Sequence, residues 1–370
     1  MERNFEKEIE FIKTVIPSWK DLQTSEISCE ALTGGTRELY KVTALKKGIE
    51  PEIVLMRKFR QYSDPELGKI EAYWYQLLST NGLGPRCFGQ NDECRVEEFL
   101  EGRTLTTKEL TDTVVRRRLA MQLGKLHSLP TDIMSGINII NLAISKLTPV
   151  FQQRYAVKAY DEVDMPIIEE IKYLYDKEEI EYIQSILKKY DDTVLGHNDL
   201  WSVNILFNEK TSDFAFIDFE SMGPVFAGID LGRILIEAVY HRDRPGCTYE
   251  LREGNFPSEE DIKDFLRYYL VSRNKGITDK AHADSVARDP ALLEEIEKKL
   301  FPNKEDHEAA LKKLERQVVP GIIVSAFFLL MVIGAVIHKE INTGMDYYQA
   351  GKDLHMFYKK YKAQLEKSME

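Results

Sequence analysis

The chain has 370 residues, of which 43% are hydrophobic and 30% are charged, as in an ordinary globular protein and unlike disordered or collagen-like chains. Because a single hydrophobic core stops growing near about 250 to 300 residues, this length predicts two lobes. The 61 acidic residues outnumber the 50 basic ones and give a net charge of -11. This charge disfavours nonspecific binding of nucleic acid or of an anionic membrane surface, and it suits a small cationic substrate.

The four cysteines lack the spacing of a zinc site, which favours a reducing compartment. The amino-terminal segment MERNFEKEIE has neither the apolar stretch of a secretory signal nor the composition of a transit peptide. We therefore expect a cytoplasmic protein.

The first hundred residues are predicted to form mostly strands, separated by turns. Two short β-type runs flank a Gly-Gly pair within residues 31–45, and compact apolar strands are predicted at 52–59 and 95–100. One helix is predicted to begin at Asp64-Pro65, with proline in its first turn.

After residue 102 the hydrophobic period becomes helical, with helices predicted over 111–129, 167–190 and 261–271. Residues 276–316 are highly charged and are predicted to be solvated helices or loop. The uncharged run 318–337 is long enough to span a membrane, and its alternative is a buried helix with Pro320 and Gly321 in the first turn.

The residues with the clearest chemistry lie in the stretch GHNDLWSVNILFNEKTSDFAFIDFE, where short β-type runs interrupt the helical pattern. It contains His197, Asp199, Asn204 and Asp218. Phosphoryl transfer needs a carboxylate to orient and deprotonate a hydroxyl, together with oxygen ligands that hold magnesium on the phosphates. A β-hairpin would bring Asp199, Asn204 and Asp218 to one rim, whereas each residue alone is more typical of a turn or cap. His197 is expected to be structural.

The amino-terminal region is then expected to hold the nucleotide. The Gly-Gly turn within residues 32–42 can bring backbone N–H groups close to phosphates. Arg57 or Lys58 can supply a cation, since strand alternation directs only one of them inward. Glu71 on the predicted helix is a candidate ionic partner.

These residues resemble the choline and ethanolamine kinase family in the segments HNDLWSVNIL, IDFE, GIDLGRILIE and MDYYQA. The resemblance runs from about residue 30 to the carboxyl end. It implies an α+β, bilobal, protein-kinase-like fold, with a small antiparallel sheet lobe and a larger, mainly helical lobe. The corresponding domains are residues 1–101, which bind nucleotide, and 102–370, which bind substrate and carry out catalysis. Family members often form homodimers.

The resemblance also implies a role for each site residue, with ATP as co-substrate and Mg²⁺ as cofactor. Asp199 is the implied catalytic base, and Asn204 and Asp218 are the implied magnesium ligands. Asp230 supports the catalytic loop. The implied nucleotide and substrate contacts are Gly34, Gly35 and Thr36 in the phosphate-covering turn, Arg57 with its partner Glu71, the hinge from Glu98 to Leu100, and Glu237 facing the substrate cation.

The sequence departs from the family in two places. The Gly-Gly turn looks one residue shorter, because Arg37 follows Thr36. Three aromatic positions of the cage around the quaternary ammonium hold Ser221, Leu329 and Val332, which should weaken cation-π binding of choline. Tyr347 matches a family cage position, and Tyr240 and Trp201 are further candidate substitutes.

The leading hypothesis is ATP-dependent phosphorylation of choline, the first step of phosphatidylcholine synthesis. Ethanolamine is the first alternative, because a primary ammonium can donate hydrogen bonds to Glu237 and needs no aromatic cage. The others are an aminoglycoside or sugar kinase, which would lack the MDYYQA-like tail, and a catalytically weak binding protein. The resemblance also favours a buried helix over a membrane span at 318–337.

Overall fold

The computed structural model describes residues 5–32, 38–59, 65–131, 139–190, 192–211, 213–241, 250–277, 280–336 and 347–368. The chain divides into two compact units. The amino-terminal unit comprises Met1–Arg103 together with Asn208–Phe219, and the helical unit comprises Thr104–Phe207 together with Glu220–Glu370. The assignment of nucleotide binding to one part and catalysis to the other stays a prediction.

A five-stranded antiparallel sheet forms the centre of the amino-terminal unit, in the order β1-β2-β3-β5-β4. Its strands are β1 (Ile27–Leu32), β2 (Glu38–Ala44), β3 (Ile53–Lys58), β4 (Cys87–Gln90) and β5 (Cys94–Glu98). The sequence predicts β2, β3 and β5 and only the end of β1, which begins four residues before the predicted run, and it misses β4. Burial alternates along β2, where Tyr40, Val42 and Ala44 are buried, so one face of the sheet lies against a hydrophobic core.

Two helices belong to the same unit. Helix α1 (Glu6–Val15), which the sequence analysis did not predict, buries Ile9 and Ile12 in the core cluster with Trp19. Helix α2 (Pro65–Thr80) begins at Pro65 as predicted. The returning segment of this unit adds β9 (Asp213–Phe216).

The helical unit is built from ten helices among the described residues, with short strands between them. The helices are α3 (Thr113–His127), α4 (Ile139–Ala156), α5 (Met165–Ile171), α6 (Lys177–Lys189), α7 (Gly228–Glu237), α8 (Glu259–Arg273), α9 (Lys280–Arg288), α10 (Pro290–Leu300), α11 (Lys304–Val336) and α12 (Tyr347–Lys367). Strand β7 (Thr193–Gly196) pairs antiparallel with β10 (Gly223–Phe226), and β11 (Tyr240–His241) pairs with β12 (Glu250–Leu251). The strands β6 (Arg103–Thr104) and β8 (Ile205–Asn208) lie where the chain passes between the units.

The predicted helix over 167–190 and the predicted position of Pro320 in a first helical turn both need correction. The single helix predicted over 167–190 is two helices, α5 and α6, separated by a 3-10 turn at Lys172–Tyr175. Residues 276–316 contain α9, α10 and the first part of α11. Because α11 begins at Lys304, Pro320 lies inside the helix and not in its first turn.

Helix α11 packs against α7 in the interior of the helical unit. A Cβ added to Gly321 would collide with the backbone of Gly228, so the glycines allow the two helices to approach closely. Among the described residues, α11 is the one helix long and apolar enough to cross a membrane by length and composition. Of its most apolar window, 78% is buried inside the protein. The core helix of a folded protein passes the same test of length and composition, and the burial of α11 supports the buried-helix interpretation.

Candidate active site

The loop that carries the predicted base begins where β7 ends. Gly196 is the last residue of β7, and a Cβ there would collide with Cγ2 of Val225 on the paired strand β10. Asn198 takes a φ of 65°, which asparagine tolerates better than most residues. Its Nδ2 donates to the carbonyl oxygen of Ser221 at 2.8 Å. These contacts fix the start of the loop.

Asp230, fully buried on α7, holds the start of the same loop through two hydrogen bonds. Its Oδ2 accepts the backbone N–H of His197 at 2.6 Å, and its Oδ1 accepts the N–H of Asn198 at 2.7 Å. A third contact joins Oδ2 to Nε2 of His127 at 3.0 Å. Burial alone would raise the pKa of Asp230, but the hydrogen bond and charge interactions with His127 and His197 lower it, so this carboxyl is ionised. The support for the loop implied by the resemblance has a clear geometric basis here.

The imidazole of His127 links this anchor to α8. Its Nδ1 lies 2.8 Å from the hydroxyl oxygen of Tyr269. Burial lowers the pKa of His127 more than Asp230 raises it, which favours the neutral ring. Burial also raises the pKa of Tyr269, so its hydroxyl keeps its proton. The consistent assignment is a tyrosine O–H that donates to Nδ1 and an Nε2–H that donates to Asp230.

Asp199 and Asn204 are in contact in the helical unit. The Nδ2 of Asn204 donates to Oδ2 of Asp199 at 3.0 Å and to the carbonyl oxygen of Asp199 at 2.9 Å. Asn204 ends a 3-10 turn that begins at Ser202. Because Asp199 engages the amide nitrogen, the amide oxygen of Asn204 remains as the group that could hold a cation. The backbone N–H of Asp199 points to Nδ1 of His197 at 3.4 Å, in keeping with a structural histidine.

Arg57 and Asp218 are in contact in the amino-terminal unit. Nη1 of Arg57 lies 3.8 Å from Oδ1 of Asp218, and Nε of Arg57 donates to Oε1 of Glu97 at 3.0 Å. Of the two candidate cations on β3, Arg57 is the inward residue, because its side chain is buried. Lys58 pairs with Glu8 on α1. The Asp218 side chain is 35% exposed and has a φ of 65°. Its carboxylate is therefore accessible directly after β9.

Two residues of this cluster, Arg95 and Glu97, were not among the residues predicted from the sequence. Arg95 lies directly opposite Arg57 on the neighbouring strands β5 and β3, and its Nε donates to Oε1 of Glu97 at 2.8 Å. Burial would raise the pKa of Glu97, but the two arginines lower it, so Glu97 is ionised. Glu71, the predicted partner of Arg57, lies 3.5 Å from Nη2 of Arg95. The contacts are those of Arg57 with Glu97 and of Glu71 with Arg95. A direct pair of Arg57 with Glu71 stays a prediction. The sequence feature that could have revealed Arg95 and Glu97 is Arg-x-Glu on a predicted strand, because residues two apart on a strand lie on the same face.

The other predicted nucleotide contacts are the hinge after β5 and the phosphate-covering turn. Glu98 is exposed at the end of β5, where its N–H donates to the carbonyl of Arg86 at 2.8 Å and its Oε2 accepts the N–H of Arg86 at 3.0 Å. The N–H of Glu98 is thus already engaged, and Leu100, which is half-buried, stays the predicted backbone contact for adenine. The predicted phosphate-covering residues Gly34, Gly35 and Thr36 lie outside the described residues.

Glu237, the residue predicted to face the substrate cation, is fully buried at the end of α7. Its Oε2 lies 3.2 Å from Nη1 of Arg233, one helical turn earlier. Leu329 and Val332, at positions where the resemblance places cage aromatics, are half-buried on α11. Tyr240 and Tyr347 are the first residues of β11 and α12, and their side chains lie outside the described part of the structure.

The residues proposed for magnesium have suitable chemistry. Among the described residues, no group of three or more His, Cys, Asp or Glu side chains gathers as a metal site. Mg²⁺ on a nucleotide needs only one or two protein oxygens, since phosphates and water supply the rest. The amide oxygen of Asn204 and the accessible carboxylate of Asp218 are hard ligands of this kind. Asn204 and Asp218 belong to different units, so their common rim stays a prediction.

Comparison with known proteins identifies the family. The sequence profile described as choline/ethanolamine kinase matches residues 29–359, most of the chain. The chain belongs to the choline/ethanolamine kinase family. This membership favours an amino-alcohol kinase over the aminoglycoside or sugar kinase alternative.

Relatives in this kinase family carry both substrate names. The chain is 24% identical to the human choline/ethanolamine kinase over 276 residues, which cover 70% of this chain and 67% of that protein. It is 25% identical to a probable ethanolamine kinase of Arabidopsis thaliana over 286 residues, covering 75% and 72% of the two chains. At this level of identity the choice of amino alcohol is not resolved.

Solved structures of this kinase family share the fold. A choline kinase from Cryptosporidium parvum superposes with a TM-score of 0.70 at 21% identity, over 99% of this chain and 97% of that one. An ethanolamine kinase from Plasmodium vivax gives 0.67 at 17% identity, over 97% and 92%. The predicted α+β, protein-kinase-like fold is confirmed.

Proposed function

We propose that the protein is an ATP-dependent kinase that transfers the γ-phosphoryl group of ATP to the hydroxyl of choline, the first step of phosphatidylcholine synthesis. The observation that carries this proposal is the contact between Asp199 and Asn204 on a loop fastened by Asp230, in a chain of the choline/ethanolamine kinase family. This contact supports the proposal, because a carboxylate and an asparagine side chain on one loop are groups that phosphoryl transfer to a hydroxyl uses.

In this proposal Asp199 orients the hydroxyl of the amino alcohol and accepts its proton as the oxygen attacks the γ-phosphorus. The bond from the γ-phosphorus to the bridging oxygen breaks, and ADP leaves with that electron pair. Because positioning provides most of the catalysis of phosphoryl transfer, the hydrogen bonds that fix the loop are part of the machinery. Asn204 restrains the Asp199 carboxylate directly, with its Nδ2 3.0 Å from Oδ2.

The nucleotide would be held mainly by the amino-terminal unit. Arg57, kept in place by Glu97, is the proposed cation for the phosphates, and Asp218 lies beside it. Asn204 and Asp218 are the proposed ligands of Mg²⁺, which when bound neutralises charge on the β- and γ-phosphates. The turn at Gly34 and Gly35 and the hinge near Leu100 stay predictions.

The choice of choline over ethanolamine depends on Glu237. The case for ethanolamine requires an exposed carboxylate to accept hydrogen bonds from a primary ammonium, but Glu237 is fully buried and already paired with Arg233. Leu329 and Val332 offer aliphatic surface, which suits methyl groups and gives an N–H donor no partner. Ethanolamine stays the second candidate, because at three positions the cation-π contacts that normally favour choline are lost.

The test is phosphorylation by the purified protein with ATP and Mg²⁺, using choline, N,N-dimethylethanolamine, N-methylethanolamine and ethanolamine. We expect kcat/KM to rise with each added methyl group. A falling series would assign ethanolamine as the substrate, and the absence of any phosphorylated product would support the binding-protein alternative. No specific contact favours that alternative, since Asp199, Asn204 and Asp218 are all present. A cytoplasmic location and a homodimer stay predictions.

A further inference from the structure

One face of α7 touches both ends of the loop that carries Asp199. Asp230, Arg233 and Glu237 follow each other at steps of three and four residues, which places them along one side of a helix. Asp230 accepts the backbone N–H groups of His197 and Asn198 at the start of the loop.

Glu237 holds the far end of this loop. Its Oε1 accepts the backbone N–H of Ser202 at 3.1 Å and the Oγ–H of Ser202 at 3.1 Å. Ser202 begins the 3-10 turn that ends at Asn204, and Asn204 in turn holds Asp199. A chain of direct contacts therefore runs from Glu237 to the proposed base, entirely within the helical unit.

The charge of Glu237 is already compensated inside the protein. Its side chain is fully buried, and that of Arg233 is 4% exposed, with Nη1 3.2 Å from Oε2 of Glu237 in a charge contact that lacks hydrogen-bond geometry. A carboxylate with an adjacent guanidinium has a local charge near zero, so a second cation gains little from it. Burial also prevents solvent, and hence a solvated ligand, from reaching Glu237 in this arrangement.

We infer that Glu237 is a positioning residue that fastens the catalytic loop through Ser202, with Arg233 as its fixed counter-ion, and that it is not the receptor of the substrate ammonium. This inference rests on the proposed function for its kinetic consequences. Its structural consequence, a loop held by Glu237, does not depend on which molecule is phosphorylated.

The test separates the hydrogen-bond acceptor from the charge. Changing Glu237 alone would leave Arg233 buried without its partner, so both variants also carry Arg233→Met. Glu237→Gln with Arg233→Met keeps an oxygen for Ser202 but removes both charges. Glu237→Leu with Arg233→Met removes the oxygen as well. Deuterium uptake of residues 197–204, kcat and KM for the amino alcohol, and ATP hydrolysis without an amino alcohol are then measured.

For the Leu variant we expect faster deuterium uptake of the loop and a loss in kcat of roughly 30-fold, with ATP hydrolysis falling by a similar factor, because two hydrogen bonds lose their acceptor. The Gln variant should lose much less kcat, keep slow uptake, and change the KM by less than about threefold. Ser202→Ala, which leaves both charges in place, should lower kcat by about threefold at constant KM.

Two results would overturn the inference. One is a KM for the amino alcohol that rises by about 30-fold or more in both double variants while kcat is held, since charge would then bind the substrate. The other is native deuterium uptake in the Leu variant. If Ser202→Ala is the only variant that folds, its kcat still tests the inference, because a native kcat in that variant would overturn it. A native protein that phosphorylates no amino alcohol would refute the proposed function, while deuterium uptake would still test the loop.

Discussion

Replacing Glu97 with glutamine removes the charge that compensates two buried arginines. The Oε1 atom of Glu97 accepts from Nε of Arg57 at 3.0 Å and from Nε of Arg95 at 2.8 Å. Glutamine can still present an oxygen to both groups, but the carboxylate charge is lost. The substitution therefore tests electrostatic compensation with little change in shape.

The magnitude follows from burial. Removing one partner of a buried ion pair costs about 3 to 5 kcal/mol, because the remaining charge is left uncompensated. Arg95 keeps other favourable contacts, with Glu71 at 3.5 Å and with the ring of Tyr75, whose centroid is 3.6 Å from the guanidinium carbon. We therefore expect a loss near the lower value, about 3 kcal/mol. Since domains are stable by about 5 to 15 kcal/mol in total, this loss is easily measured.

The assay is urea unfolding followed by tryptophan fluorescence, because Trp19 and Trp74 are both buried in the amino-terminal unit. Glu98→Gln is the matched control. It is the next residue on the same strand but is exposed, so its free energy of unfolding should change by less than about 0.5 kcal/mol. A loss below about 1 kcal/mol for Glu97→Gln would refute the assignment of Glu97 as the carboxylate that holds Arg57.

Three further predictions concern the helical unit. Burial holds the folded-state pKa of His127 below its usual 6.5, so the unfolded protein takes up a proton more readily than the folded protein does. The free energy of unfolding should therefore be highest above pH 6.5 and fall as the pH falls through the folded-state pKa. The native protein should therefore lose about 1 kcal/mol more than His127→Gln between pH 7.5 and 5.5 in urea unfolding, and equal losses would contradict this. Gly196→Ala should destabilise by about 1 to 3 kcal/mol through its collision with Val225, and adding Val225→Ala should recover part of the loss; no recovery would exclude this cause. Leu329→Trp should lower the KM for choline about fivefold by restoring a cation-π contact, whereas an unchanged KM would show that this position does not face the ammonium.

Features that depend on neighbouring residues were largely predictable from the sequence. The strands β2, β3 and β5 and helix α2 follow from local hydrophobic patterns and turn residues. The short segment from His197 to Asn204 forms one loop in which Asp199 and Asn204 are in contact, because they are only five positions apart. The break between α5 and α6 was also readable. Asp176 followed by acidic residues is typical of a helix start, but the continuous apolar period concealed it.

Features that depend on register and distant contacts were not predictable. Arg57 meets Glu97 because β3 and β5 are neighbours in a particular register, and no local pattern states which strands pair. The contact of Glu237 with Ser202 joins residues 35 positions apart. The resemblance implies a substrate contact for Glu237. That Arg233 compensates its charge becomes clear only from the structure, where both side chains are buried and close together.

The most direct test of phosphoryl transfer is the rate of choline phosphorylation by Asp199→Asn compared with the native protein. Asparagine has the same shape and can keep the contact with Asn204, but it cannot accept the hydroxyl proton. Asp92→Asn, in an exposed turn, is the control. We expect kcat to fall by about 100-fold or more, with the KM for ATP within about threefold of the native value and with the control unchanged. A kcat within about tenfold of native would contradict the assignment of Asp199 as the base.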